Sequence, residues 1–185
     1  MKGAAAETLR PEAAAIVIVD IQEKLLPVIA GREAILAGCR TLLHLASALE
    51  LPVLLTTQYR KGLGPFLPEL AELAGVEPVD KVAFSCFGSE AFRTQLGETG
   101  RKQLLVAGIE SHICVTQTAL GALDAGFSVH VLADAVGSRL EENHRIGLGR
   151  MERAGALISS VEMAAYELLG RADSPAFKSM LPHFR

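Results

Sequence analysis

Tryptophan is absent from this chain, and only two tyrosines and seven phenylalanines occur among its 185 residues. Its core must therefore be built from aliphatic side chains, as the 50% hydrophobic but 5% aromatic composition requires. A basic excess is missing too: 18 Lys and Arg stand against 21 Asp and Glu, for a net charge of −3. With no basic stripe interleaved with aromatics, nucleic acid is not expected as a partner. No apolar run approaches the roughly 20 residues of a membrane helix. Lys2, Glu7 and Arg10 precede the first apolar stretch, so neither a signal peptide nor a membrane association is expected. The cysteines, Cys39, Cys86 and Cys114, are an odd three with no Cys-x-x-Cys spacing. That speaks against a disulfide framework or a zinc cluster and for a reducing, cytoplasmic setting. His44, His130, His144 and His183 lack mutual ligand spacing, and no metal or other cofactor is expected. The glycine pairs at Gly62 and Gly64 and at Gly147 and Gly149 lack a third glycine and do not follow the first apolar run. A dinucleotide fingerprint is therefore missing.

What is present is a repeating unit, a short β-branched run followed by a stretch of helical period. Ala15 to Val19 reads AIVIV, a continuously apolar run of the kind found in a central parallel strand. Behind it, Ile35, Cys39, Leu42, Ala46 and Leu49 recur at steps of three and four and form one helical stripe, which makes Cys39 a core residue. Pro52 then opens a second run, Val53 to Thr57. Further strand-like runs lie at Val79 to Phe84, Gln103 to Ala107, Ser128 to Leu132 and Ala156 to Ser159, with helical stretches near Glu90 to Leu96, Val115 to Asp124, Glu142 to Arg153 and Val161 to Leu169. About six strands alternating with helices predict an α/β protein of three α/β/α layers around a doubly wound parallel sheet of Rossmann-like topology. One domain is expected over residues 1–185, with a short extension at 1–12, a loop-like segment from Arg60 to Pro68, and a tail at 171–185 that packs as a short element.

In such a sheet, ligands bind beyond the carboxyl ends of the strands. Asp20 and Gln22 follow the first strand, Gln58 and Tyr59 the second, and the loop from Gly108 to Cys114 the fourth, while Lys81 lies within the third unit. This short list contains an acid, a lysine and a thiol, in which Lys81 could supply a cation and Asp20 a proton acceptor. A free thiol ionises near pH 8.5 and needs a cation or a helix start to lower that value. Cys114 stands where GIESHIC turns into the helix VTQTALGALDAG, and a lowered thiol pKa is the expectation there. Backbone N–H groups of the same turn could hold an oxyanion.

These residues resemble the isochorismatase-like cysteine hydrolases, a superfamily that includes nicotinamidases and N-carbamoylsarcosine amidases. The resemblance spans nearly the whole chain. It rests on VDIQ at Val19 to Gln22, LPVLLTTQY at Leu51 to Tyr59, DKVAFSCF at Asp80 to Phe87, VAGIESHICVTQTA at Val106 to Ala119 and VLADAVGSR at Val131 to Arg139. QYRKGLG at Gln58 to Gly64 and ADSPAFKSMLPHF at Ala172 to Phe184 look most like the isochorismatase-domain-containing branch. The resemblance implies a catalytic triad of Asp20, Lys81 and Cys114. It further implies a cis peptide at Ile109–Glu110 and an oxyanion hole from the N–H groups of Glu110 and Cys114. Nicotinamidases hold a metal through an Asp-x-His motif after the second strand, and TTQYRKG offers neither residue.

The resulting expectation is a metal-independent cysteine hydrolase, acting on a small amide or related C–N or ester substrate through a thioester acyl-enzyme. Gln22, Tyr59, Phe87 and His112 are candidate pocket residues. His112 is expected to make a structural hydrogen bond rather than to pair with Cys114. A small-molecule substrate and a homo-oligomer, a dimer or larger, complete the expectation. Other readings stay open at this point: a non-catalytic interaction protein, a redox-responsive thiol protein, and an isochorismate-type vinyl ether hydrolase that does not use the cysteine.

Overall fold

The first apolar run, Ala14–Val19 (β1), is buried along its whole length, because it is hydrogen-bonded between two parallel neighbours and covered on both faces. A computed structural model describes residues 8–184; the first seven residues of the N-terminal extension and the last residue of the tail lie outside the described residues. The helix Arg32–Leu49 (α1) follows, then Val53–Gln58 (β2), the single turn Arg60–Leu63 (α2), Pro68–Ala74 (α3) and the short strand Val79–Lys81 (β3). The second half runs Glu90–Glu98 (α4), Gln103–Ile109 (β4), Thr116–Asp124 (α5), Ser128–Gly137 (β5), Glu141–Arg153 (α6), Leu157–Ser159 (β6), Val161–Leu169 (α7) and Pro175–Met180 (α8).

The expected six-stranded parallel sheet is present, in the order β3-β2-β1-β4-β5-β6. From β1 the chain winds outward to β3, then returns to the centre at β4 and winds the other way. The reversal leaves a crevice beyond the carboxyl ends of β1 and β4, where such folds bind ligands. Alternation along the strands divides the apolar interior between the two faces. Ile16 and Ile18 of β1 join α1, α3, α7 and α8 in one cluster; Val17 and Val19 join α4, α5 and α6 in the other. Fully burying each such side chain contributes roughly 1.5–3 kcal/mol. The predicted α1 stripe holds, with Ile35, Cys39, Leu42 and Ala46 buried.

Serine caps set three helix starts: Ser89, Ser160 and Ser174 accept the backbone N–H of Phe92, Met163 and Phe177. Two expectations needed adjustment. The loop-like stretch after β2 folds into α2 and leads into α3, and the strand expected to reach Phe84 stops at Lys81. Among the described residues, no helix is long and apolar enough to cross a membrane.

Gly108 fixes how closely the two central strands approach. It pairs with Val19, has φ +119°, and a Cβ placed there would lie 2.1 Å from the Val19 carbonyl oxygen. Only glycine allows this approach, and it occurs one residue before Asp20.

Candidate functional site

Immediately after β1 the backbone of Asp20 turns into the left-handed region, with φ +54°, a conformation that Asp tolerates better than most residues. Its N–H donates to the Thr56 carbonyl at 3.1 Å, and the Thr56 hydroxyl donates to Asp20 Oδ1 at 2.7 Å. The other carboxylate oxygen, Oδ2, accepts from Lys81 Nζ at 2.7 Å, with both side chains at zero exposure. Lys81 arrives at the end of the edge strand β3, yet its side chain runs inward. An ammonium has three hydrogens to place. The others go to Gln58 Oε1 at 2.8 Å and the Phe84 carbonyl at 3.1 Å.

Cys114 is carried by a π-helical turn, Ser111–Val115, between β4 and α5. The Val115 N–H closes that wide turn onto the Glu110 carbonyl at 3.3 Å. Such single turns recur at functional sites, because the extra residue re-aims a side chain. Here the thiol is brought beside Asp20, close enough for the carboxylate to act on it electrostatically. The expected lowering of the thiol pKa is overturned. Burial pushes it up, the neighbouring Asp20 charge adds to the rise, and Lys81 only partly offsets them. The resting group is a neutral thiol beside a ready acceptor.

The cis peptide is a second correction. Among the described residues there is no cis bond, so Ile109–Glu110 is trans. Glu110, at φ −56° and ψ 109°, leads directly into the π turn.

The candidate pocket residues separate into different roles. Gln22 spends its amide on structure: Oε1 accepts from the Gln58 N–H at 2.8 Å, and Nε2 donates to the carbonyls of Gln58 at 3.2 Å and Gly64 at 2.7 Å. Phe87 packs edge-on between Phe92 and Phe127, so its ring belongs to an aromatic cluster. Tyr59 is half-exposed at the end of β2, with φ +44° and its ring against Gly62. His112 does not pair with the thiol; its Nδ1 lies 2.9 Å from Ser138 Oγ and 3.4 Å from Glu110 Oε2. Glu110 in turn is held by the Arg139 guanidinium.

Two features escaped the sequence reading. The first is the support given to Asp20 and Lys81 by Thr56 and Gln58. Its signal was there: an apolar strand, VLL, that ends in the three polar residues TTQ, all buried. The second is the chain from His112 through Ser138 to Ser111, 2.6 Å from Ser138, and on to His144, 3.1 Å from Ser111. It lies under the π turn and beside a cavity of about 350 Å³ lined by Gly31, Asp134, Ser138, Glu141 and His144. That cavity does not include Asp20, Lys81 or Cys114.

Cys86 is buried beside the same group, with its thiol donating to Thr56 Oγ1 at 3.7 Å. Burial pushes its pKa up to about 11. The end of β2 does not suit a divalent cation: Gln58 Oε1 already faces an ammonium and its Nε2 donates to the Val82 carbonyl at 2.9 Å. Among the described residues no three His, Cys, Asp or Glu side chains gather as metal ligands.

Comparison with known proteins agrees with this architecture. The family described as Isochorismatase domain matches residues 14–163. Isochorismatase domain-containing protein 2A of Mus musculus is 37% identical over 171 residues, covering 92% of this chain and 82% of that protein. Among solved structures, the MAR1 ribonuclease from Caenorhabditis elegans superposes with a TM-score of 0.89 at 34% identity, covering 96% of this chain and 92% of that one. The YcaC gene product from Escherichia coli, described as an octameric hydrolase of unknown specificity, gives 0.88 at 29% identity over 100% of this chain and 95% of its own.

Proposed function

The chain belongs to the isochorismatase family, and from that premise we propose that it is a metal-independent cysteine hydrolase of small amides or related C–N or ester bonds. The observation that carries this reading is the junction at the carboxyl edge of the sheet. A thiol stands beside a carboxylate that is itself ion-paired, in burial, to a lysine.

In the proposed reaction, Cys114 gives its proton to Asp20 as the sulfur attacks the substrate carbonyl. Concerted transfer suits a thiol whose resting pKa is raised, since no free thiolate has to accumulate. The oxyanion would be met by the backbone N–H groups of Glu110, just before the π turn, and Cys114, within it. Asp20 then returns the proton to the leaving amine or alcohol, and the C–N or C–O bond breaks to leave a Cys114 thioester. Water, deprotonated by Asp20, attacks that thioester; the acid departs and the thiol takes the proton back. Lys81 keeps all three hydrogens on Asp20, Gln58 and Phe84 throughout, so its part is electrostatic and it has no proton free for the substrate.

A small-molecule substrate is in keeping with a chain whose acids outnumber its bases. Three free thiols support a reducing, cytoplasmic setting. The octamer described for the YcaC relative supports a homo-oligomer here. The test is a panel of small amides and esters assayed with wild type and Cys114→Ala, with intact mass recorded during turnover. Expected are an acyl adduct on the wild-type chain and loss of turnover in the variant, with an unchanged melting curve. Full activity in Cys114→Ala would sink the mechanism and favour the cysteine-free vinyl ether reading. A stable sulfenic acid with no acyl adduct would favour the redox reading.

A further inference from the structure

Resting on the reading of Asp20, Lys81 and Cys114 given above, we propose that Gln58 is a positioning residue that sets the proton affinity of Asp20 through Lys81. The lysine side chain is fully buried, and a buried ammonium is tolerated only when its hydrogens are placed. One goes to the charged acceptor Asp20 and one to the neutral acceptor Gln58, at nearly equal distances of 2.7 and 2.8 Å. Gln58 therefore decides how much of the ammonium is left to Asp20.

The amide cannot turn over to present its nitrogen. Nε2 donates to the Val82 carbonyl at 2.9 Å, which leaves Oε1 toward Lys81; a flipped amide would point two hydrogens at a cation. The backbone is held just as firmly, because both the N–H and the carbonyl of Gln58 are taken by the Gln22 side chain. Gln22 is anchored in turn to the Gly64 carbonyl. A single glutamine thus joins the segment after β1, the end of β2 and the residues after β3, and it is neutral where a carboxylate would compete with Asp20 for the same cation.

The two substitutions that separate this role from simple bracing are Gln58→Glu and Gln58→Met. Glutamate is isosteric and keeps an oxygen on Lys81, but adds a negative charge close to Asp20. A like charge raises the proton affinity of Asp20 and, with it, the pH at which Asp20 and Cys114 together lose their shared proton to solvent. Methionine keeps the length and removes the acceptor.

The experiment measures the rate of Cys114 alkylation by iodoacetamide against pH, by peptide mass mapping on the full chain. Wild type, Gln58→Glu, Gln58→Met and Asp20→Asn are compared, with a melting curve for each. Gln58→Glu is expected to move the rate profile to higher pH by at least about half a unit, roughly a threefold slower reaction at fixed pH on the rising limb. Gln58→Met is expected to move the profile the other way, to lower pH by a similar amount, because the whole ammonium is then left to Asp20. A role in bracing alone predicts lower melting temperatures with an unmoved pH profile, and that result overturns the inference. Should Gln58→Met fail to fold, the isosteric Gln58→Glu decides alone. If Asp20→Asn slows alkylation while Gln58→Glu keeps the wild-type profile, only the Gln58 inference falls. An Asp20→Asn chain that reacts like wild type overturns the reading of the whole site.

Discussion

Lys81 Nζ lies 2.7 Å from Asp20 Oδ2, and neither side chain is exposed to solvent. Two opposite charges in such a place depend on each other: removing one leaves the other buried without its counter-charge, at a cost of about 3–5 kcal/mol. Lys81→Met and Asp20→Asn should each lose stability of that order in urea titrations. The double variant is expected to be more stable than Lys81→Met alone, because no unpaired charge remains. Additive losses would show that the pair is not coupled.

Gly108→Ala should be among the most damaging conservative changes in the chain. The added methyl would fall 2.1 Å from the Val19 carbonyl oxygen, at φ +119°. Relief requires β1 and β4 to separate where Asp20 begins. A loss of roughly 3 kcal/mol or more is expected, measured by urea unfolding. A change below 1 kcal/mol would mean that the strands part easily.

Ser138 joins two hydrogen-bonding side chains of the π turn, Ser111 and His112. Ser138→Ala leaves Ser111, fully buried, short of that partner. A loss of about 1–3 kcal/mol is expected, with faster hydrogen exchange in residues 111–115 than in β1. Uniform exchange changes across the chain would argue against a local role.

Alkaline stability should report the buried thiols. Burial pushes Cys39 up to about 12 and Cys86 up to about 11, while an unfolded chain ionises its thiols near 8.5. Each folded value lies above the unfolded one, so as pH rises the unfolded chain loses these protons first. Stability is intact below about pH 8.5 and falls above it, by about 1.4 kcal/mol per pH unit for each thiol until the folded value is reached. Cys39→Val, which removes one such group from the interior, should decline less steeply between pH 9 and 10.5. An identical decline would place the alkaline loss elsewhere.

Much of the fold was legible along the chain. Parallel strands buried on both faces must be continuously apolar, and AIVIV at β1 and the run at β4 were visible for that reason. The α1 stripe was visible because a helix buries every third or fourth residue. Boundaries were less so: β3 is a three-residue edge strand whose last residue turns its side chain inward, and α2 has no apolar period to detect. Asp20 and Cys114 could be singled out because one follows a strand and the other opens the helix after one, whereas Lys81, inside a run that was expected to reach Phe84, rested on the family resemblance.

Sequence alone therefore determined the alternation of strands and helices, the doubly wound parallel sheet, and the chemically able residues Asp20 and Cys114 at strand ends. Those follow from hydrophobic period and chain connectivity, which are local or nearly so. Only the tertiary structure decided the state of these residues. Cys114 is raised rather than lowered in pKa, Ile109–Glu110 is trans, Gln22 is structural, and Gln58 shares the lysine. Each of these depends on burial and on hydrogen-bond partners. Around Asp20 and Lys81, those partners come from segments 20 to more than 60 residues apart in sequence, and electrostatics in a low-dielectric interior is a sum over neighbours that no local pattern records.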